Sequence, residues 1–133
     1  MKKHLFIFVG ILVFSLIGSA NAAVVTFNDV PGADVIPNGY GGLDWDQFSV
    51  MEVPPSSGEF IAYNTDNNPA LVSSSSLFDF IGASFTSLFD ATNTLYITGY
   101  RAGAEVYYQE LALNDLSFTL FQPLNWTGID AMS

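Results

Sequence analysis

Hydrophobic and polar residues alternate along residues 95–100 and again along residues 106–112. In the first stretch Leu95 and Ile97 share one parity, and polar or tyrosine residues take the other. A side-chain period of two, carried by β-branched and aromatic residues, is typical of half-buried antiparallel strands. Between the two stretches lies Gly103, which provides the positive φ that a tight hairpin turn needs. The pattern predicts a β-hairpin at the centre of the fold.

Short apolar stretches separated by Gly, Pro, Asn and Asp run through the rest of the chain. Further strands are predicted at residues 24–29, 43–51, 60–64, 77–89, 117–121 and 126–132. After the first 22 residues, no ten-residue stretch has a helical period free of breakers. Many short strands at this spacing are typical of an all-β protein. We therefore predict an antiparallel β-sandwich or jelly roll.

The hydrophobic pattern changes parity within residues 43–51. Leu43 and Trp45 share one parity, whereas Phe48 and Val50 share the other. Successive side chains of a strand point to opposite faces, so one regular strand cannot bury all four. The pattern predicts a bulge at Asp46 and Gln47 that re-aims the chain.

The N-terminus has the three parts of a secretory signal peptide. Two lysines and a histidine precede an apolar run at residues 5–17, and Ala20 and Ala22 supply small residues before a cleavage point. A membrane anchor is the alternative, but the run is shorter than the ~20 residues of a spanning helix. We predict a cleaved signal-peptide helix at residues 1–22 and a single β-sandwich domain at residues 23–133. The predicted location is secreted, periplasmic or extracellular, with no membrane insertion after cleavage.

Removal of residues 1–22 changes the charge and the chemistry of the chain. The remainder has no Lys, His or Cys, and it keeps Arg101 against all thirteen acidic residues, a formal charge of −12. Such a charge repels phosphate backbones, so nucleic acid is not an expected partner. Without His, Cys or Lys, serine and cysteine triads, Schiff bases and histidine-ligated zinc are excluded. The composition predicts a protein that is not an enzyme.

Several motifs resemble exported bacterial β-sandwich proteins of the PEP-CTERM-sorted kind. They lie at residues 27–29, 36–48, 78–85, 95–109 and 125–130. The resemblance implies a jelly roll similar to galactose-binding-like and carbohydrate-binding modules. The chain departs from the family because a final strand and the C-terminal sorting tail do not follow residue 130. We therefore expect a domain lacking its last strand, with an open sheet edge that invites self-association.

Two carboxylates and one tyrosine form the predicted ligand-binding site, together with the single arginine. Asp44 and Asp46 are two residues apart and so share a strand face. A carboxylate pair of this kind is open to three interpretations: glycoside hydrolysis, a ligand contact, or a solvated surface. Tyr40 lies in a Gly-rich loop and is the ring expected to be exposed for stacking on a sugar. Arg101, at the hairpin tip, is able to bind a carboxylate through two hydrogen bonds or to remain a solvated turn residue.

Calcium is the cofactor that this composition suits, since it binds carboxylate and carbonyl oxygens. Asn28 and Asp29 are the predicted ligands, at the end of the first strand. In the resembled folds, a structural cation lies where the first and last strands meet. The two tryptophans, Trp45 and Trp126, are predicted to be buried because large aromatics at strand spacing usually belong to the core.

Two functions remain open at the level of sequence. The first is a secreted, non-catalytic β-sandwich with a structural or adhesive role in the cell envelope or extracellular matrix. The alternative is a carbohydrate-binding module, with or without calcium. The expected partners are accordingly polysaccharides or other envelope components.

Overall fold

The fold is described by a computed structural model. The residues described are 6–16, 22–30, 35–53, 59–65, 69–87, 92–114 and 121–133. The positively charged start of the chain, Ala20 of the cleavage pattern, and most of the strand predicted at residues 117–121 lie outside these ranges.

The described residues form antiparallel strands and one turn of 3-10 helix at Tyr40–Gly42. The strands are β1 (Phe6–Leu16), β2 (Ala22–Val25), β3 (Asp44–Asp46), β4 (Phe48–Glu52), β5 (Phe60–Asn64), β6 (Leu71–Ser87), β7 (Thr92–Arg101), β8 (Ala104–Asn114) and β9 (Gln122–Met132). The all-β, antiparallel prediction is confirmed. None of the described residues belongs to a helix long and apolar enough to cross a membrane.

Strand β6 organises the sheet. The hydrogen-bonded order is β4-β5-β1-β6-β9-β7-β8, with β2 added to β1 and β3 added to β6. At 17 residues, β6 is long enough to pair with β3 near its start and with β1 further along, while β9 follows its other edge. Strands β6 and β8 contact each other although β9 and β7 separate them in the hydrogen-bonded order. The sheet therefore curls around its core.

The structure does not show the helix that was predicted within residues 1–22. It places Phe6–Leu16 in an extended conformation as β1, hydrogen-bonded to β2, β5 and β6. The segment is rich in Phe, Ile and Val, which favour strands, and a continuous apolar run fits a buried strand as well as a helix. The predicted helix is therefore replaced by a strand in this structure.

The sequence predicted a bulge at Asp46 and Gln47 that re-aims the chain; the structure re-aims it there by a break between two strands, β3 paired with β6 and β4 paired with β5, rather than by a bulge within one strand. Strand β3 ends at Asp46, β4 begins at Phe48, and Gln47 between them has a φ of 62°. A positive φ outside glycine is uncommon and lies outside the β region, so it interrupts the regular alternation of a strand. As a result Trp45 and Val50 are both buried despite their opposite parity.

The hairpin of β7 and β8 has one buried and one exposed face. Leu95 and Ile97 are buried, and Leu113 on β8 is buried on the same side. Gly103 at the turn has a φ of 78°, as predicted. The inner face packs on β9, where Trp126 is buried, so the predicted burial of this tryptophan is also confirmed.

Phenylalanines supply much of the core. The largest fully buried side chains are Phe27, Phe78, Phe80, Phe85, Ile36, Leu43, Ile61, Ile97, Leu113 and Ile129. They range from Phe27 to Ile129, so the first loop and β9 share one hydrophobic cluster with β6.

Candidate functional site

The predicted ligand residues Asp29 and Tyr40 lie in direct contact. The Tyr40 hydroxyl donates a hydrogen bond of 2.5 Å to Oδ1 of Asp29. The Tyr40 ring stacks on buried Phe27, with ring centroids 6.1 Å apart. Partial burial, the hydrogen bond to Asp29 and the charge of Asp29 raise the pKa of Tyr40 to about 12. Tyr40 is thus a half-buried hydrogen-bond donor rather than the exposed ring that the sequence predicted.

The predicted calcium ligands both have protein partners. Oδ1 of Asn28 accepts a hydrogen bond of 3.0 Å from the backbone N–H of Phe60, and Asp29 accepts the bond from Tyr40. The described part of the chain contains no cluster of three or more acidic, His or Cys residues placed to hold a metal ion. Calcium binding at Asn28 and Asp29 stays a prediction.

Asp44 and Asp46 are exposed on either side of a fixed tryptophan. The indole N–H of Trp45 donates to the carbonyl of Tyr40 at 2.9 Å, and its backbone N–H donates to Oδ1 of Asn38 at 3.0 Å. Two edge-to-face ring contacts, each with centroids 5.4 Å apart, hold the indole in the core. The two carboxylates therefore share one solvent-facing side of β3, as predicted from their spacing.

Arg101 lies on a different part of the molecule and is engaged by the backbone of β9. Its Nε donates to the carbonyl of Gly128, and Nη2 donates to the carbonyl of Thr127 at 2.9 Å. Beside it, the N–H of Ala102 donates to Oδ2 of Asp130 at 2.7 Å. The N–H of Gly128 in turn donates to Oδ1 of Asp79 on β6 at 2.8 Å. These bonds fasten the hairpin tip to β9 and β9 to β6.

Two further rings, one on the inner face of the hairpin and one on β9, are also structural. Tyr107 stacks on Trp126 with centroids 5.4 Å apart and planes 7° from parallel. The hydroxyl of Tyr107 lies 3.2 Å from Oγ1 of Thr127. Gly99 lies under the indole of Trp126, so close that a Cβ there would be 3.0 Å from Cε3. The ring pair therefore packs the hairpin on β9.

The opposite face of the same hairpin carries exposed rings and carboxylates. Tyr96 is 54% exposed and Tyr108 is 53% exposed. Tyr96 is paired with Glu110 across the strands, and Tyr100 with Glu105. We call these five residues of the outer face, Tyr96, Tyr100, Tyr108, Glu105 and Glu110, the tyrosine face.

The residues of the tyrosine face are close enough to influence one another. Tyr108 pairs with Thr98 and is therefore a diagonal neighbour of Tyr96, within reach of a large side chain. Partial desolvation raises the pKa of Tyr108, and Glu110, Tyr96 and Glu105 raise it further by adding negative charge. The rings and carboxylates thus form one continuous surface.

The sequence contained a signal for this surface. Leu95 and Ile97 are apolar and predict which face of β7 is buried. Because successive side chains of a strand point to opposite faces, Tyr96 between them must face outward. The sequence instead predicts Tyr40 as the exposed ring, because a residue in a Gly-rich loop is expected to be more exposed than one in a strand. The structure does not bring Tyr40 or Arg101 onto the tyrosine face.

No protein-family model, curated protein or solved structure gives a significant match to the chain.

Proposed function

We propose that the chain is a secreted, non-catalytic β-sandwich protein with a structural or adhesive role in the cell envelope or extracellular matrix. The absence of catalysis is proposed because several charged side chains are engaged in hydrogen bonds within the protein. Arg101 and the carboxylates of Asp79 and Asp130 bind backbone groups that join neighbouring strands. The Asp29 carboxylate accepts the Tyr40 hydroxyl. Side chains used in this way support a framework rather than a reaction.

The sandwich arrangement belongs to the same proposal. The curled antiparallel sheet, with β6 against β8, supports two layers that face each other across the phenylalanine-rich core. The jelly-roll resemblance to exported PEP-CTERM-type proteins is compatible with this arrangement.

Export is proposed from residues 1–22. We expect protein recovered outside the cytoplasm to begin at Ala23. Changing Ala22 to Phe should block cleavage, because the residue before the cleavage point must be small, whereas Asn21→Gln at the neighbouring position should be processed normally. N-terminal sequencing of the fractionated protein measures both outcomes. An intact Met1 in a protein that stays in the cytoplasm would contradict the proposal.

The adhesive role is tested by adding purified, labelled protein to washed cells and to isolated extracellular matrix. We expect retention on the surface or in the matrix fraction and no covalent change in the material that binds it. A heat-unfolded sample at the same concentration serves as the control. Equal retention of the folded and unfolded samples would contradict a role for the folded surface.

The second candidate function, a carbohydrate-binding module, is favoured by the tyrosine face. Exposed aromatic rings on the outer face of a hairpin, next to carboxylates, suit stacking on sugar rings and hydrogen bonding to their hydroxyls. A polysaccharide pull-down with and without a chelator tests both carbohydrate binding and the predicted support by calcium. Binding that the chelator leaves unchanged would separate the carbohydrate proposal from the calcium prediction.

A further inference from the structure

We propose that the tyrosine face binds a polysaccharide whose sugar units carry protonated amino groups, such as a glucosamine polymer. The inference rests on the carbohydrate-binding function proposed above and names its site and ligand class. It depends on the charge of the tyrosine face, on the exposure of its rings, and on the rigidity of the strands beneath it.

The charge of the tyrosine face is negative. Glu105 and Glu110 are both exposed there, beside Tyr96 and Tyr108. Arg101 donates its hydrogen bonds to β9 carbonyls and is the single basic side chain among the described residues, so none of them places a cation on this face. A polymer with phosphate or uronic acid groups would be repelled, whereas an ammonium group is attracted.

The rings supply a second reason for a cationic sugar. A cation over the face of an exposed tyrosine is stabilised by the ring, and the C–H face of a sugar stacks on the same surface. A neutral sugar would use the stacking but would leave Glu105 and Glu110 partly desolvated without a partner of opposite charge. An amino sugar provides a charge-assisted hydrogen bond for each carboxylate.

The surface is held in place before any ligand arrives. Strands β7 and β8 pair from Thr92 to Asn114, and the hydroxyl of Tyr100 lies 3.3 Å from Oγ of Ser133, next to β9. The inner face of the same hairpin is fixed by the stack of Tyr107 on Trp126. A platform that is already ordered loses little conformational entropy on binding.

The test is titration calorimetry of the purified protein with three oligosaccharides of matched length. These are a glucosamine oligomer, its fully N-acetylated form, and a neutral glucose oligomer. We expect the glucosamine oligomer to bind, and acetylation, which removes the positive charge, to weaken binding about fivefold or more. Added salt should weaken binding of the glucosamine oligomer more than that of the neutral one.

Three variants locate the site. Tyr96→Ala, Tyr108→Ala and Glu110→Gln should each weaken binding of the glucosamine oligomer about two- to fivefold. Val35→Ala is the matched control, because Val35 is 66% exposed and lies beside β4, away from the hairpin. Circular dichroism and the melting temperature should stay unchanged in all four variants.

Each result has a distinct meaning. Equal binding of all three oligosaccharides would overturn the ammonium inference and leave the carbohydrate function intact. Glucosamine binding that the three variants do not alter would overturn the assignment of the surface, and equally tight binding of polylysine would show that net charge alone is responsible. Binding of none of the oligosaccharides would overturn the carbohydrate function itself.

Discussion

At the scale of single residues, glycine and arginine together secure the contact between the hairpin and β9. Gly128 has a φ of 62°, and its carbonyl accepts a hydrogen bond from Arg101. A Cβ at this position would lie 2.6 Å from Nη2 of Arg101, so even alanine would displace the guanidinium. The residue is therefore constrained both by its backbone and by its neighbour.

We predict that Gly128→Ala costs more stability than Gly103→Ala. Both glycines have a positive φ, which costs an alanine about 1–2 kcal/mol, but Gly103 has open space around it. Moving the Arg101 guanidinium away from the carbonyls of Gly128 and Thr127 should add about 1 kcal/mol to the loss at Gly128. Urea unfolding of both variants measures the difference. Equal losses would show that the Arg101 side chain moves aside at no cost.

The paired residues Tyr40 and Asp29 predict a pH dependence in the alkaline range. The pKa of Tyr40 is raised to about 12 in the folded protein, above the ordinary value of about 10. The folded state therefore binds more protons than the unfolded state between these values, and stability falls as pH rises through this range. Tyr40→Phe should lack this part of the fall.

The measurement is the melting temperature as a function of pH. Asp29→Asn is the companion variant, because it keeps the ring and removes the neighbouring charge. It should move the Tyr40 transition, followed by ultraviolet absorbance, towards lower pH. Identical alkaline profiles for wild type and Tyr40→Phe would refute the assignment.

Single residues also show how far the sequence predicted the candidate site. The size of its ring correctly indicated that Trp45 is buried, and the two-residue spacing correctly indicated that Asp44 and Asp46 share one face of a strand. The contact of Tyr40 with Asp29 spans eleven residues and depends on how a Gly-rich loop folds back, which no local pattern encodes. Such contacts between distant residues are the part that sequence reasoning could not supply.

At the scale of elements, the break between β3 and β4 allows both ends of one apolar stretch to reach the core. Gln47 takes the positive φ, and its carbonyl accepts a hydrogen bond of 2.9 Å from the backbone of Thr65. The parity change of the sequence predicted that the chain is re-aimed here, but as a bulge within one strand rather than as a break between two. It could not tell which residue would take the unusual conformation.

We predict that Gln47→Val destabilises the protein by about 1–2 kcal/mol, because a β-branched residue is poorly accommodated at positive φ. Gln47→Gly keeps the bend without this strain and should be at least as stable as wild type. The free energy of unfolding should therefore fall in Gln47→Val and stay the same or rise in Gln47→Gly. Similar losses in both would mean that the Gln47 side chain, not the backbone, stabilises the bend.

Two other elements were not predicted, for different reasons. Residues 71–76 are dominated by serines and lie before the strand predicted at residues 77–89, yet they form the first part of β6. Their backbone pairs with β3, and β9 pairs with the other edge, so tertiary contacts override a weak local preference. For Phe6–Leu16 the sequence predicted a signal-peptide helix, with a membrane anchor as the alternative, and neither interpretation is a strand. Periodicity alone does not separate a helix from a strand in a continuous apolar run.

At the scale of the whole molecule, the position of β1 links processing to association. Strand β1 pairs with β5 through Ile7 and Phe8, and with β6 over a longer stretch that ends at Leu16. Cleavage after Ala22 would remove β1 and expose the facing edges of β5 and β6. Unpaired strand edges are templates for pairing with another chain.

We therefore predict that the processed chain associates in a concentration-dependent way through these edges. Sedimentation velocity should show a shift towards dimers as the concentration rises. Ser84→Lys should reduce it, because Ser84 lies on the β6 edge that pairs with β1 and a charge there opposes edge-to-edge pairing. Thr98→Lys on β7, where both neighbours of the strand are present, is the comparison variant. A monomer at every concentration would show that β5 and β6 close on each other.

The placement of the two tryptophans gives the molecule a pair of built-in optical reporters. Trp45, on β3, packs between Phe27 and Phe48. Trp126, on β9, stacks on Tyr107 of β8. Replacing either indole with phenylalanine leaves a single emitter that follows one region alone. Coincident fluorescence transitions in the two variants would mean that both regions unfold as one unit, and separate transitions would give the order in which they come apart.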